Sequence, residues 1–267
     1  MRSKKASGPV AGSLVIVGVG ICGVHQITPE AAAHVRRADR LFYLVLDPIT
    51  ETWLRSVNAT ATSLHDLYAT GKPRRQTYRQ MTRRFTDAVM SGQRVCVAFY
   101  GHPGVLVSAT RNAVRQVRRS GRPARVVPGI SAEACLYADL DLDPGVNGVQ
   151  SFEATDFLLY RRRTDPTSAL ILSQIGVLGD VTTRDAAEPC DARRVEVLVR
   201  RLRRDYPPSH PIVLYEASRC PGHPPRAERL RLSALPRADI RPLMTLYVPA
   251  MPSRRPDRRV EKWLANA

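Results

Sequence analysis

The stretch Phe99–Val107 is well suited to binding a ligand with its backbone. It follows Arg94–Phe99, an apolar run that we expect to form a buried strand, and it places Gly101 and Gly104 on either side of Pro103. Glycine leaves backbone amides and carbonyls uncovered, and proline fixes one φ so that the loop keeps its shape. Because open α/β sheets bind ligands at the carboxyl ends of their strands, the stretch predicts a ligand-binding loop. The alternative is a tight turn between a strand and a helix.

A second glycine-rich string, Gly18–Gly23, follows a β-branched run and satisfies the pattern G-x-G-x-x-G of dinucleotide-binding proteins. Asp47, at the end of the next predicted strand, stands near the position of a ribose-binding acid. The signals for a helix start, Thr28 and Pro29, come well after the last of these glycines. A dinucleotide pyrophosphate rests on a helix that the glycines themselves open, so this late start argues against NAD.

A predicted helix from Pro73 to about Met90 carries two polar side chains that could take part in chemistry. Apolar residues recur along it at helical spacing, and Arg74 and Tyr78 lie four residues apart, so they share one face. From the spacing alone, Tyr78 also suits the start of the apolar core stripe, and Arg74 suits a solvated surface charge.

The composition predicts a globular protein, since 43% of the 267 residues are hydrophobic. The net charge is +17, but only four of the 41 basic residues are lysines, so a coding bias explains the arginines as readily as phosphate binding does. The five cysteines are widely spaced and form no C-x-x-C, which predicts reduced thiols in a cytoplasmic protein without zinc or disulfides. No apolar stretch reaches the roughly 18 residues of a membrane span.

Strands and helices alternate through the first half of the chain, which predicts a parallel sheet, whereas the second half predicts an α/β domain with mixed strand directions. We expect a disordered basic leader (1–11), an N-terminal α/β domain (12–127), a C-terminal α/β domain (128–250) and a loose basic tail (251–267). The predicted strands are 13–17, 41–46, 94–99, 124–127, 151–154, 169–174, 211–216 and 243–248, and the main helices are 29–39, 73–90, 108–120 and 193–205.

The order of these motifs resembles the tetrapyrrole methylase superfamily, and the resemblance covers residues 12–250. The matching stretches are Gly18-Val19-Gly20, Ile27–Ala31, Tyr100–Gly104, Pro128–Glu133, Leu172–Gln174 and Tyr215-Glu216. Members of this superfamily bind S-adenosylmethionine in a cleft between two α/β domains, each a sheet flanked by helices. The resemblance therefore implies this fold and this cofactor, with S-adenosylhomocysteine as the product and no metal.

Within the superfamily, the sequence is similar to the borosin peptide-backbone N-methyltransferases. The stretches that carry this similarity are Tyr43–Thr50, Tyr68–Arg74 with Thr77–Met81, and Phe152–Leu158. Ordinary corrin methylases lack the tyrosine, arginine, tyrosine series in this spacing. Borosin enzymes methylate backbone amide nitrogens of a ribosomally made precursor peptide, and the resemblance implies the same activity here.

The resemblance also implies the site residues. Methylation of an amide nitrogen requires loss of its proton and stabilisation of negative charge on the oxygen, for which an arginine and a tyrosine near a cation are suited. The implied catalytic residues are Tyr68, Arg74, Tyr78 and Tyr100. The implied cofactor-binding residues are Tyr100, Gly101, His102, Pro103, Gly104, Val105, Val107, Ser131, Ala132, Gln174, Tyr215 and Thr245.

Several borosins carry their substrate as a C-terminal extension, whereas little beyond residues 251–267 follows the last predicted strand here. We therefore expect a split system in which a separate precursor peptide is the substrate, with an acidic leader that suits the basic chain. The resemblance further implies a homodimer, and we expect neither a membrane nor a nucleic-acid partner.

Three rival functions share the predicted fold or cofactor. A tetrapyrrole C-methyltransferase would keep both and change the acceptor, and the same fold also hosts a ribosomal RNA methyltransferase. A sensor that binds S-adenosylmethionine without catalysis is the rival outside enzymes.

Overall fold

The computed structural model describes residues 12–183, 188–252 and 256–267, which fall into two compact units. The first unit holds the described residues of Met1–Leu140, Asp180–Asp185 and Ala217–Arg226, and the second holds those of Asp141–Gly179, Ala186–Glu216 and Ala227–Ala267. The predicted leader, residues 1–11, lies outside the described residues. The domain boundary was expected between residues 127 and 128, whereas the first unit also contains the helix Ala132–Asp139.

The first unit is built on a five-stranded parallel sheet in the order β3-β2-β4-β1-β5. Short 3-10 helices at Gly23–His25 and His65–Leu67 interrupt its connections. Its elements are β1 (Ser13–Gly18), α1 (Pro29–Arg37), β2 (Arg40–Leu44), α2 (Pro48–Val57), β3 (Thr62–Ser63), α3 (Arg74–Met90), β4 (Arg94–Phe99), α4 (Ser108–Arg119), β5 (Ala124–Val127) and α5 (Ala132–Asp139).

Alternate residues of the central strands fill two cores, one on each face of this sheet. Leu14 and Ile16 of β1 pack in the core that holds α3 and α4, whereas Val17 packs in the core that holds α1 and α2. Helix α3 contributes Met81 and Phe85 at helical spacing, and both are fully buried. Helices thus cover both faces of the sheet, and loops lie at the ends of its strands.

Helices α1 and α2 of the first unit begin with side-chain caps. Thr28 accepts a hydrogen bond from the N–H of Ala31, with Pro29 as the first helical residue of α1. Asp47 accepts a hydrogen bond of 2.7 Å from the N–H of Thr50 and so caps α2. The carboxylate considered as a ribose-binding acid therefore caps a helix.

The second unit is built on a mixed sheet in the order β6-β7-β10-β8-β9, where β6 and β7 are parallel and β10 is antiparallel to β7 and β8. Helix α8 packs its apolar residues into the core of this unit. The elements are α6 (Pro144–Asn147), β6 (Val149–Glu153), α7 (Ala154–Leu159), β7 (Ala169–Ser173), α8 (Ala192–Leu202), β8 (Pro211–Glu216), β9 (Arg226–Arg231), β10 (Thr245–Val248) and α9 (Arg258–Ala265), with 3-10 helices at Ile175–Val177 and Leu232–Arg237.

The end of the chain differs from the expected loose tail. Asp257 accepts hydrogen bonds from the N–H groups of Arg259 and Val260 and caps α9, so Arg258–Ala265 is helical. The arginines and prolines of this segment suggested a loose tail, and the helix capped by Asp257 was not predicted. None of the helices in the described residues is long and apolar enough to cross a membrane.

Candidate active site

Three glycine loops of the first unit meet at the carboxyl ends of β1, β4 and β5. A Cβ placed on Gly18 would lie 2.5 Å from the carbonyl oxygen of Gly101 and 2.7 Å from the Cα of Gly129. The N–H of Gly101 also donates a 2.8 Å hydrogen bond to the carbonyl of Gly20, and Gly101 has a φ of +66°. The glycines therefore allow three backbones to pack against one another at the strand ends, where ligands bind in such sheets.

The contact at Gly18 predicts a large loss of stability on Gly18→Ala. The added methyl group would overlap backbone atoms of two loops, so we expect the free energy of unfolding to fall by about 3 kcal/mol in chemical denaturation. The matched control is Gly104→Ala, whose Cβ would meet only the movable side chain of His102, at 3.0 Å. An unfolding free energy as high in Gly18→Ala as in Gly104→Ala would contradict the close packing.

The loop after β4 is held in shape by its own residues. The N–H of Gly104 donates to Nδ1 of His102 at 3.0 Å, the N–H of Val105 donates to the carbonyl of His102 at 3.0 Å, and Leu106 has a φ of +57°. Val105 and Leu106 are exposed, and Val107 caps α4 without a side-chain hydrogen bond.

This loop fits a ligand with polar and apolar parts. Within the described chain, the N–H groups of Leu106 and Val107 donate to no protein acceptor. Free N–H groups beside exposed apolar side chains suit a nucleoside-like molecule such as S-adenosylmethionine. The loop therefore offers unpaired backbone donors, and its binding of the cofactor stays a prediction.

The predicted residues Ser131 and Ala132 lie in the next loop of the same unit. Ser131 accepts a 3.1 Å hydrogen bond from the N–H of Ala134 and caps α5, of which Ala132 is the first residue. Their neighbour Ile130 is 41% exposed, and its carbonyl lies 4.0 Å from the Cβ position of Gly101. The structure thus brings these residues to the same strand ends as Tyr100–Val107.

The other predicted cofactor residues lie together in the second unit, at one end of its sheet. Tyr215 of β8 and Thr245 of β10 are partners in the antiparallel register, and both are buried. Gln174 follows β7 with a left-handed φ of 59°, and the next residue, Ile175, donates to the carbonyl of Met244 at 3.2 Å. The chain conformation at Gln174 is strained for a residue with a side chain.

The phenol groups of Tyr68, Tyr78 and Tyr100 come together in the first unit. Each pKa is raised above its ordinary value of 10 mainly by burial, that of Tyr100 to about 12. The interaction between the phenol groups of Tyr68 and Tyr78 further raises the pKa of Tyr68 and lowers that of Tyr78. Tyr68 thus holds its proton more firmly, and Tyr78 is the more readily ionised phenol of this pair.

Arg74 lies beside these phenols and is half-buried, unlike a solvated surface charge. Its positive charge lowers the pKa values of Tyr68 and Tyr78 and opposes the effect of their burial. Its guanidinium donates to the carbonyl of Asp180, and its N–H donates to the carbonyl of Val181 at 3.0 Å. The structure therefore joins all four predicted catalytic residues, and their catalytic roles stay predictions.

Sequence reasoning missed the segment Asp180–Thr183, which pairs with the start of α3. The N–H of Gly71 donates to the carbonyl of Thr183 at 3.0 Å, and the N–H of Thr183 donates to the carbonyl of Lys72 at 2.9 Å. This pairing joins residues more than a hundred positions apart, and no local pattern in a polar stretch signals it.

Lys72 was also missed as a residue that supports the site. Its ammonium donates to the carbonyl of Leu67 and to Oε1 of Gln80, the latter at 2.6 Å. The hydroxyl of Thr77 donates to the same Leu67 carbonyl at 3.3 Å. These bonds fix the residue before Tyr68. A usable signal was that Lys72 is one of only four lysines in an arginine-rich chain.

Metal ligands are not assembled in the part of the chain that the structure describes, where no group of three or more His, Cys, Asp or Glu side chains could hold an ion. All five cysteines are free thiols.

Comparison with known proteins places the chain among methyltransferases. Residues 13–220 match the family described as Tetrapyrrole (Corrin/Porphyrin) Methylases. The chain is 38% identical over 245 residues to a methyltransferase and type I borosin cyclic peptide precursor of Coprinopsis marcescibilis, covering 90% of this chain and 63% of that protein. It is also 38% identical over 245 residues to a methyltransferase and gymnopeptide precursor of Gymnopus fusipes, covering 90% of this chain and 57% of that protein. The chain thus spans about three fifths of the length of these relatives.

The fold is likewise similar to solved methyltransferase structures. The uroporphyrin-III C-methyltransferase of Thermus thermophilus superposes with a TM-score of 0.63 over 90% of this chain and 92% of that one, at 20% sequence identity. The predicted fold class, with two sheets flanked by helices, is confirmed by this likeness and by the family match. The predicted similarity to borosin proteins is confirmed by the curated relatives.

Proposed function

Because the chain belongs to the tetrapyrrole (corrin/porphyrin) methylase family, we propose that it is an S-adenosylmethionine-dependent methyltransferase acting on backbone amide nitrogens of a precursor peptide. The observation that carries the proposal is the grouping of Tyr68, Tyr78 and Tyr100 around Arg74. The identity of 38% to proteins named as both methyltransferase and peptide precursor supports a peptide acceptor.

We propose that the loop Tyr100–Val107, with Ser131 and Ala132, holds the cofactor in the first unit. The cofactor-binding roles of Gln174, Tyr215 and Thr245, in the second unit, stay predictions. The support in the first unit is the free N–H groups of Leu106 and Val107 beside exposed apolar side chains. Bound S-adenosylmethionine supplies an activated methyl group on a sulfonium, so the protein needs no metal for this step. The tight packing of Gly18, Gly101 and Gly129 keeps the loop in place.

The acceptor amide is a poor nucleophile because its lone pair is delocalised into the carbonyl. In the proposed mechanism, Arg74 donates hydrogen bonds to the amide oxygen and stabilises the negative charge that develops there. Tyr78, as its phenolate, takes the proton from the amide nitrogen. Bound S-adenosylmethionine would supply the methyl group to that nitrogen, with cleavage of its methyl carbon–sulfur bond and S-adenosylhomocysteine as the leaving group. Tyr68 donates a hydrogen bond to the Tyr78 oxygen and thereby makes its phenolate accessible. Tyr100 lines the same site.

The test of the function is intact-mass spectrometry of a candidate precursor peptide, expressed from a separate gene together with the enzyme. We expect increments of one methyl mass, which fragmentation locates on backbone nitrogens. The peptide is supplied as a separate molecule, so the same result tests the predicted split system. Co-expression with the Tyr78→Phe variant is the matched control.

An unmodified peptide, in a preparation that binds S-adenosylmethionine by calorimetry, would contradict the peptide acceptor. Methylation of a uroporphyrin-type tetrapyrrole by that preparation would then assign the acceptor to the tetrapyrrole class. The homodimer and the cytoplasmic location stay predictions, which light scattering and cell fractionation test.

A further inference from the structure

The α4–β5 surface of the first unit is strongly basic. We use this name for the shallow depression that α4 and β5 form together, and residues 108–127, which contain both elements, include six arginines and no acidic residue. The apolar floor is Val114 and Val126, the latter 37% exposed. The residues that line the depression are Arg111, Val114, Arg115, Arg118, Arg119 and Val126.

Some of these arginines already form hydrogen bonds or ion pairs with other groups of the protein. Arg118 donates through Nε to the carbonyl of Ala124 at 2.9 Å, and Arg125 forms an ion pair of 3.0 Å with Glu30. The remaining arginines of α4 lie exposed at intervals of four residues and so form one stripe along the helix. Those with no carboxylate partner within the described ranges are Arg111, Arg115 and Arg119.

The strand beside this stripe is the open edge of the sheet. β5 is the last strand in the sheet order, and in the described residues it pairs with β1 on one side. The N–H of Leu14 donates to the carbonyl of Pro123 at 3.0 Å, and backbone groups alternate in direction along a strand, so the groups of Val126 point away from β1. Since the outward carbonyl of Ala124 accepts from Arg118, the unpaired N–H and C=O groups of this edge, within the described chain, are those of Val126. Unpaired groups at a sheet edge are a template for another extended chain.

We propose that the α4–β5 surface binds an extended, acidic polypeptide segment as an added strand along β5. The spacing fits, since four residues of helix rise about 6 Å and alternate residues of a strand are about 7 Å apart. Acidic side chains at alternate positions of the added strand can therefore each lie opposite one of Arg111, Arg115 and Arg119. On the proposed function, this segment belongs to the acceptor peptide, outside the residues that are methylated.

The test is fluorescence anisotropy with a fluorescein-labelled peptide of alternating glutamate and valine, titrated with the full chain in the absence of cofactor. The triple variant Arg111→Gln, Arg115→Gln, Arg119→Gln is expected to raise Kd about tenfold, because three attractive charges are lost. The matched control is Arg200→Gln, Arg203→Gln, Arg204→Gln, at the end of α8 and in the turn that follows it, which removes the same charge from another exposed surface and is expected to leave Kd unchanged. Equal losses in the two variants would overturn the proposal.

Two further peptides test the added strand without altering the protein: one is methylated at the glutamate backbone nitrogens and the other at the valine backbone nitrogens, and both keep every charge. Because alternate N–H groups point to opposite sides of a strand, only one set faces β5, so we expect Kd to rise about tenfold for one peptide and to change little for the other. An unchanged Kd for both peptides would overturn the strand. Tighter binding of a single-stranded RNA oligonucleotide, lost in the α4 triple variant, would assign the surface to nucleic acid, and a change of oligomeric state in that variant would assign it to a second copy.

The outcome is independent of catalysis, because binding is measured without methyl transfer. If the enzyme methylates no peptide and the acidic peptide still binds at α4–β5, the surface assignment stands and its attribution to the acceptor falls. If methylation proceeds but the α4 triple variant leaves the acidic peptide bound, the proposed function stands and this surface assignment falls.

Discussion

The Tyr78→Phe variant is expected to lower kcat for peptide methylation about 100-fold or more, with S-adenosylmethionine binding unchanged. The reason is that burial raises the pKa of Tyr78 while Arg74 and Tyr68 both oppose that rise, so its phenolate is the proton acceptor of the proposed mechanism. The measurement is single-turnover methylation followed by mass spectrometry, with cofactor binding by calorimetry. Tyr160→Phe, at an exposed tyrosine of the second unit, is the matched control and should keep full activity.

The pH dependence separates this role from a structural one. Burial holds the pKa of Tyr78 above its ordinary value of 10, so the phenolate fraction is small at neutral pH and increases with pH. We expect the wild-type rate to rise about tenfold per pH unit below that pKa, and the slope to disappear in Tyr78→Phe. In Tyr68→Phe, the loss of the hydrogen bond raises the pKa of Tyr78 and moves the profile to higher pH. If the rate of Tyr78→Phe still rose with pH, another group would be the base that accepts the amide proton.

The sequence predicted those parts of the fold whose signals are local. Strands 124–127 and 211–216 have the predicted bounds, and α4 ends one residue earlier than expected, because apolar runs and a glycine stop mark them. Helix α2 was not predicted, although Asp47 and Pro48 give its cap and first residue, because Asp47 was weighed only as a ribose-binding acid. Each of these signals can be read within a few residues.

The candidate site could be predicted only in part, and the reason is again distance along the chain. Arg74 and Tyr78 share a helix face by their spacing, but nothing in the sequence pattern places Tyr68 and Tyr100 beside them; the family resemblance did. The contact of Arg74 with the carbonyl of Asp180 depends on a segment that returns from far along the chain. Hydrogen bonds to backbone carbonyls place few demands on residue type, so this segment carries no motif.

The Arg74→Ala variant is expected to lower kcat about 100-fold to 1,000-fold, because the donors to the developing oxyanion are lost. It also removes the positive charge that lowers the pKa of Tyr78, so the remaining activity should shift to higher pH. The measurement is the pH profile of kcat with saturating cofactor, and KM for the peptide is recorded alongside. Arg75→Ala, the exposed neighbour on the same helix, is the matched control.

Arg74→Lys distinguishes the two contributions of Arg74. A lysine keeps the positive charge that favours the Tyr78 phenolate, but it lacks the planar fork that can hold both an amide oxygen and the Asp180 carbonyl. We therefore expect the wild-type pH profile with a reduced kcat in Arg74→Lys, whereas Arg74→Ala loses both. If Arg74→Lys were as active as wild type, charge alone would explain the residue. If both variants changed only KM, Arg74 would bind the peptide rather than stabilise the transition state.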